Sequence, residues 1–123
     1  MDRLLLVSLA GAVGSGCRYL VAISLPRLLG TSFPWGTLAV NLVGCFVIAV
    51  VGNLAPLTPT TKLIIGTGFC GGFTTYSAFN FETMKLVEQR AYGVAIAYVL
   101  ATLVGCALFG ALGWLSARAL VAD

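Results

Sequence analysis

Histidine is absent from this 123-residue chain, and charged residues make up only 9% of it. Without an imidazole there is no histidine ligand for a metal and no histidine base for catalysis. No nucleophile–base pair and no pair of carboxylates stands within an apolar stretch, so no catalytic group is visible. The net charge of +3 comes without a basic cluster, which argues against nucleic-acid binding. We therefore expect neither an enzyme nor a nucleic-acid partner.

The shortage of charge indicates a membrane protein. Soluble domains carry about 25% charged residues, whereas this chain is 59% hydrophobic. A membrane-spanning helix needs about 20 mostly apolar residues, and turn residues at 30–34 separate the first two such stretches. We predict an all-α membrane protein with a single four-span domain over residues 1–123. The predicted spans are Leu4–Leu25, Trp35–Leu54, Leu63–Phe81 and Ala91–Ala117.

The first span has a second interpretation as a signal peptide. Its n-region is only Met-Asp-Arg, and Ala10-Gly11-Ala12 is a weak cleavage signal. The apolar character continues past that point to Leu25, so we expect the span to be retained. Cleavage would leave three spans, with the chain ends on opposite sides of the membrane.

The third span contains residues that interrupt helices. Gly71-Gly72 and Thr74-Thr75 lie at its centre, and both residue types are poor helix formers. Loosened backbone is tolerated in hydrocarbon only where protein buries it or where it lines a polar cavity. We predict a helix broken near its middle, at an ion or substrate site. The alternative is a continuous helix in which Gly68 and Gly72 form a close-packing face.

Polar side chains recur at helical spacing in the other spans and continue past the break. Asn41 either faces an ion path or bonds across a helix interface, and the residues leave both interpretations open. The residues that share faces are Thr37, Asn41 and Gly44 on the second span, Tyr98, Thr102 and Cys106 on the fourth, and Tyr76 and Phe79 after the break.

Arg18 is the one clear cation inside a predicted span. A buried ionisable residue in a membrane needs a partner or a wet environment. Arg18 either draws an anion toward an aqueous vestibule or serves as a structural ion pair or helix-end anchor. Glu82 follows the broken segment and is a candidate partner for Arg18 or for Lys85.

Cysteines carry little information at this point. Cys17, Cys45, Cys70 and Cys106 all fall within predicted spans, and no two have CxxC spacing. Small buried hydrophobic residues are their simplest interpretation.

The basic residues outside the spans are balanced between the two membrane faces. Orientation follows the excess of Lys and Arg on the cytoplasmic side, and here the count is three against three. A chain without such an excess can insert both ways and assemble as an antiparallel dimer; the alternative is a weak bias hidden by uncertain span ends. One face has Arg3, Lys62 and Arg118, and the other has Arg27, Lys85 and Arg90.

Three segments together resemble one family. The third span resembles the G-G-x-T-T-F-S-T-F signature of the small dual-topology fluoride channels, because it reads Gly71-Gly72-x-Thr74-Thr75-Tyr76-Ser77-x-Phe79. The first two spans are similar to the same family through Gly11-Ala12-x-Gly14-x-x-x-Arg18-Tyr19 and Gly36-Thr37-Leu38-x-x-Asn41-x-x-Gly44-x-Phe46. Size, span number and charge balance agree, so the resemblance covers essentially the whole chain.

The resemblance implies a passive channel that exports fluoride across a bacterial-type inner membrane. It implies an antiparallel homodimer in the lipid bilayer, with two narrow pores and a central structural sodium ion. Backbone carbonyls of Gly71 and Thr74 would hold the sodium, and Arg18 would lie near the vestibule. In the implied fluoride pathway, Asn41 would donate a hydrogen bond to the ion, and the ring edges of Tyr76 and Phe79 would face it. The other implied pathway residues are Ser77, Thr102, Thr37, Tyr98 and Cys106.

The chain departs from the family pattern at four positions. Tyr76 occupies the first phenylalanine position, and its hydroxyl adds a donor and bulk. Ala78 replaces a threonine, Asn80 replaces a common serine, and Cys106 stands where a hydroxyl residue is usual. These changes bear on conduction and selectivity.

Two other classes remain as alternatives. A small four-span, proton-coupled exporter of cationic drugs needs a carboxylate inside its first helix, where this chain has Arg18 and no acid beyond Asp2. A holin-like assembly protein needs neither a broken helix nor Asn41.

Overall fold

The computed structural model describes residues 2–122, all of whose regular structure is helical. The all-α membrane prediction is therefore confirmed. In chain order the elements are α1 (Arg3–Leu29), α2 (Trp35–Asn53), α3 (Pro59–Leu63), a π-helix (Ile64–Cys70), α4 (Gly71–Phe73), α5 (Tyr76–Glu88) and α6 (Tyr92–Val121).

Three of these helices are long and apolar enough to cross a membrane unaided. They are α1, α2 and α6, with 27, 19 and 30 residues. Both α1 and α6 extend beyond the predicted span ends, because each continues past the apolar stretch into a basic last turn at Arg27 and Arg118. Asp2 caps the start of α1 by accepting a hydrogen bond from the N–H of Leu4 at 3.2 Å.

The third span is assembled from four consecutive pieces rather than one helix. It begins as α3, widens into the π-helix, returns to α geometry in α4, and resumes as α5 after two extended residues. Those residues are Thr74, with ψ 159°, and Thr75, with φ −155° and ψ 114°. The predicted break is confirmed, but it lies just beyond the glycine pair, which is itself helical.

Two glycines of the third span, Gly68 and Gly72, pack against α1. A Cβ on Gly68 would lie 2.8 Å from the Cβ of Ala10, and one on Gly72 would collide with the carbonyl oxygen of Gly11. Across the same contact, a Cβ on Gly14 would collide with the carbonyl of Phe69. The close-packing interpretation of Gly68 and Gly72 therefore holds in the same span that is broken a few residues later.

Glycines also bring α2 and α6 together. A Cβ on Gly105 would lie 2.7 Å from the Leu42 side chain, and one on Gly113 would lie 2.9 Å from the Cβ of Ala49. These two contacts fix the register of α6 along α2. Since α2 also packs against α1 through Gly36, it lies at the centre of the helix bundle. The apolar outer surface of the long helices suits a multi-pass protein surrounded by lipid.

Candidate functional site

A cavity of about 550 Å³ opens where α2, the broken span and α6 meet. Its walls bring together most of the residues that the sequence places in an ion path or beside the break. These are Asn41 from α2, Gly71, Thr74, Tyr76 and Phe79 from the third span, and Thr102 and Cys106 from α6. Side chains that are far apart in sequence thus converge at one place.

Asn41 holds the broken span by bonding to its backbone. The buried amide donates from Nδ2 to the carbonyl oxygen of Thr75 at 3.1 Å, and its Oδ1 accepts from the N–H of Thr75 at 2.8 Å. An amide nitrogen carries two N–H donors, and Thr75 accounts for one of them. Asn41 therefore both fixes the break and keeps a second donor beside the cavity that it lines.

The break removes the helical donors of the four backbone carbonyls of residues 71–74, those of Gly71 and Thr74 among them. In an unbroken helix the N–H of Thr75 would bond to Gly71, and that of Ala78 would bond to Thr74. Here Thr75 donates to Asn41 instead, and the N–H of Ala78 donates to Oγ1 of Thr75 at 3.1 Å. The carbonyl oxygens of Gly71 and Thr74 are consequently left for other partners.

Aromatic rings form the next part of the cavity wall. Phe79 is 6% exposed and lies edge-to-face with Tyr76, with centroids 5.6 Å apart and planes at 62°. It makes a second edge contact with Tyr98 at 5.1 Å. Tyr76, in contrast, is 77% exposed in the single chain. The ring of Phe79 is therefore fixed by packing, and the ring of Tyr76 stands at the surface of the chain.

Glu82 joins two of the predicted pathway residues. Its carboxylate accepts a hydrogen bond from Thr37 Oγ1 at 2.7 Å and from the Tyr98 hydroxyl at 2.6 Å. The expected ion pair of Glu82 with Arg18 or Lys85 is wrong, since the only salt bridge among residues 2–122 joins Lys85 to Glu88 at 3.0 Å. The rotation of α5 turns Glu82 toward α2 and α6, where two hydroxyl donors are available.

Arg18 borders a second, smaller cavity of about 260 Å³. Thr37 and Glu82 line it as well, and Thr75 lines both this cavity and the larger one. Arg18 thus borders a pocket on the other side of the break from Thr102 and Cys106. This placement suits a vestibule cation near the end of a path.

The remaining predicted residues differ in how they are bonded. The Oγ1 of Thr102 is buried and has no hydrogen-bond partner among residues 2–122. Ser77 is exposed, and its Oγ lies 3.3 Å from Oγ1 of Thr75. A buried hydroxyl without a partner is costly, so Thr102 marks a place where a polar ligand would be stabilised.

Sequence reasoning missed the central role of Thr75. Its side chain caps α5 and its backbone binds Asn41, so it is the residue that makes the break. The signal was available in the pattern, because a threonine directly before an apolar helical run is a common N-cap. The sequence marks Glu82 as a candidate ion-pair partner, but its two hydroxyl partners depend on how three helices pack together.

Comparisons with known proteins place the chain in one family along nearly its whole length. A family model described as CrcB-like protein, Camphor Resistance (CrcB), matches residues 5–114. The fluoride-specific ion channel FluC of Sorangium cellulosum (strain So ce56) is 42% identical over 99% of both chains. Its counterpart from Anaeromyxobacter sp. (strain K) is 49% identical over 86% of this chain and 87% of its own. The counterpart from Citrifermentans bemidjiense is 43% identical over 98% of this chain and 100% of its own. These similarities run along nearly the whole chain and confirm the resemblance seen in the three motifs. The chain belongs to the CrcB-like protein family.

Proposed function

We propose that this protein is a passive, fluoride-selective ion channel that lets the ion leave the cell down its gradient. The observation that carries the proposal is a cavity between the helices whose wall supplies hydrogen-bond donors but no acidic side chain. The Asn41 amide and the unpartnered Thr102 hydroxyl line it, and no Asp or Glu of residues 2–122 does. The names of the relatives, fluoride-specific ion channel, support the same function.

The chemistry of the cavity suits a small, strongly hydrated anion. Close N–H and O–H donors offset the loss of its water, and the positive edges of Phe79 and Tyr76 add favourable contacts. A narrow path between rings excludes larger anions. The proposed pathway includes Thr37, Tyr98, Ser77 and Cys106 in addition to these residues, with Arg18 at the vestibule.

A cation exporter fits the site less well. Such a transporter needs a carboxylate that exchanges a proton for its substrate. Glu82 is the only acidic residue of the third span near the site, and two hydroxyl groups already bind it. α1 contributes Arg18, whose charge repels a cation.

We further propose that the functional unit is an antiparallel homodimer with two pores. In a single chain the cavity is partly open, and Tyr76, an aromatic residue of the broken span, is 77% exposed. A second copy inserted in the opposite sense would cover this surface. The equal numbers of basic residues on the two faces permit both orientations.

The freed carbonyls support a structural sodium ion on the dimer axis. Gly71 and Thr74 have both lost their helical donors, and both line the cavity. Two such oxygens from each chain would give four oxygen ligands, which suit a hard cation. A bound cation also lowers the electrostatic cost of an anion nearby.

Efflux from liposomes tests the proposed function. The purified protein is reconstituted into vesicles loaded with potassium fluoride or potassium chloride. Valinomycin is added to make the vesicles permeable to K⁺, and an ion-selective electrode follows the release of each anion. We expect rapid fluoride release with little chloride release. Equal rates for both anions, or rates no higher than those of protein-free vesicles, contradict the proposal.

A tag at the C-terminus tests the antiparallel arrangement. In sealed vesicles, an impermeant reagent should reach the tag in about half of the molecules if insertion is equal in both senses. Labelling of every molecule from one side argues against dual topology while leaving the fluoride result intact.

A further inference from the structure

Thr74 packs its methyl group into the space left by the missing side chain of Gly44. Gly44 is buried on α2 and lines the larger cavity together with Thr74. A Cβ built on Gly44 would collide with Cγ2 of Thr74 and would lie 3.6 Å from its Cβ. The first extended residue of the break therefore fits against α2 because residue 44 has no side chain.

The Thr74 side chain loses a hydrogen bond if it rotates away from this contact. Its Oγ1 donates to the carbonyl oxygen of Cys70 at 2.8 Å, and its backbone N–H donates to the same oxygen at 2.9 Å. With Oγ1 held there, the staggered geometry at Cβ directs Cγ2 toward Gly44. The methyl contact and the hydroxyl bond are thus two consequences of one rotamer.

The peptide group between Thr74 and Thr75 carries this placement to a carbonyl oxygen. Its N–H, which belongs to Thr75, donates to Oδ1 of Asn41 at 2.8 Å. The peptide bonds of residues 2–122 are all trans, and in a trans peptide the carbonyl points opposite to the N–H. The Thr74 carbonyl oxygen therefore points away from Asn41. Two supports on α2 set its direction, because Asn41 holds the peptide plane and Gly44 holds the Thr74 side chain.

We propose that Gly44 is a positioning residue that holds the Thr74 carbonyl oxygen where it ligates a sodium ion. This inference rests on the proposed sodium site, and it names a residue that acts through Thr74 rather than on the ion itself. A side chain at residue 44 would push Thr74 away from α2 and tilt the peptide plane that Asn41 holds by its N–H. Altering a support behind a metal ligand typically lowers metal affinity by about 10- to 100-fold.

Sodium-dependent thermal unfolding measures the effect without any transport. The melting temperature of the purified protein in detergent is recorded over a range of sodium concentrations, with N-methylglucamine chloride keeping the ionic strength constant. A bound ion raises the melting temperature by mass action. The dissociation constant for sodium obtained from this rise should be about 10- to 100-fold higher in Gly44→Ala. Gly52→Ala is the matched control on the same helix and should keep the wild-type value, because a Cβ there meets no atom of residues 2–122 within 4 Å.

Moving the methyl group from residue 74 to residue 44 provides a rescue. Thr74→Ser keeps a hydroxyl for the bond to Cys70 but removes Cγ2, which leaves a gap against Gly44. Sodium binding should weaken by up to about fourfold, the value of one buried methyl group. Gly44→Ala/Thr74→Ser fills that gap from the other side and should bind sodium more tightly than Thr74→Ser. Neither of these two proteins is overpacked, so the comparison holds even if Gly44→Ala alone fails to fold.

The outcomes separate this inference from the proposed function when fluoride efflux is measured in parallel. An unchanged sodium affinity in folded Gly44→Ala overturns the inference, and so does a double variant that binds sodium no better than Thr74→Ser. A wild-type protein that releases fluoride without any sodium-dependent rise in melting temperature also overturns it, and leaves the fluoride channel intact. The expected series of sodium affinities without fluoride release refutes the proposed function alone.

Discussion

Replacing Asn41 with aspartate changes one atom group at the centre of the site. Asn41 accepts from the N–H of Thr75 and donates to its carbonyl oxygen, with a second N–H available beside the cavity. A protonated carboxyl group at this position is the same size as the amide and still supplies one donor and one acceptor to Thr75, so the break can survive in Asn41→Asp. What disappears in either protonation state is the second donor toward the cavity.

The expected loss of flux follows from the value of that one donor. A hydrogen bond to a charged group contributes about 1.5–3 kcal/mol. If it acts on the ion at the highest barrier, and each 1.36 kcal/mol is a factor of ten, fluoride efflux should slow by roughly 10- to 150-fold. An ionised carboxylate adds repulsion, so this range is a lower bound for the deprotonated variant.

The assay is fluoride efflux from liposomes, with the elution volume on size exclusion as the check on folding. Asn53→Asp is the matched control, because Asn53 lies at the exposed end of the same helix and its amide only donates to the carbonyl of Ala49 at 2.7 Å. The control should transport at nearly the wild-type rate. Undiminished efflux in a folded Asn41→Asp protein would assign Asn41 to the scaffold alone and refute the donor argument.

Other substitutions address the rings and the helix packing. Phe79→Ile removes the ring edge but keeps an apolar side chain. Efflux should fall by about tenfold, which corresponds to the loss of roughly one edge interaction, while the elution volume stays normal. Normal efflux would mean that Phe79 serves only in packing. Tyr76→Phe restores the family residue and should keep or raise efflux, and a large loss would give the hydroxyl a role in conduction. Gly14→Ala places a Cβ 2.9 Å from the backbone nitrogen of Phe73 and should lower the free energy of unfolding by about 1–3 kcal/mol. Gly16→Ala is the control, because a Cβ there meets no atom within 4 Å and should leave the free energy of unfolding unchanged. Thermal unfolding in detergent measures the difference, and equal melting temperatures would contradict the packing argument.

Three of the four predicted spans coincide with helices that are long and apolar enough to cross a membrane, because such spans depend on local composition. Charge-free stretches of sufficient length gave four spans, and helix-breaking residues gave the interruption in the third. The position of the break was displaced by a few residues for a physical reason. Gly72 stays helical where it packs against α1, and Thr75 leaves the helix because Asn41 offers it two hydrogen bonds. Neither contact can be derived from the local sequence.

The candidate site was predictable only in part for the same reason. The face shared by Tyr98, Thr102 and Cys106 follows from helical spacing, and Thr102 and Cys106 do line the cavity. Which partner each polar group finds depends on the rotation of one helix against another. The bonds of Glu82 to Thr37 and Tyr98 arise in this way. The roles of these residues in conduction, and those of Gly71 and Thr74 in holding sodium, stay predictions.

The π-helix makes the third span more tolerant of the loss of a residue than a continuous α-helix would be. A π-helix closes each hydrogen bond over five residues instead of four, so Ile64–Cys70 contains more chain than an α-helix of the same rise. Deleting one residue there would convert a turn to α geometry and leave α4 in its place against α1. The same deletion in α2 would turn every later side chain by about 100° and separate Asn41 from Thr75. Single-residue deletions that arise during evolution are therefore expected to survive within Ile64–Cys70 more often than elsewhere in the spans.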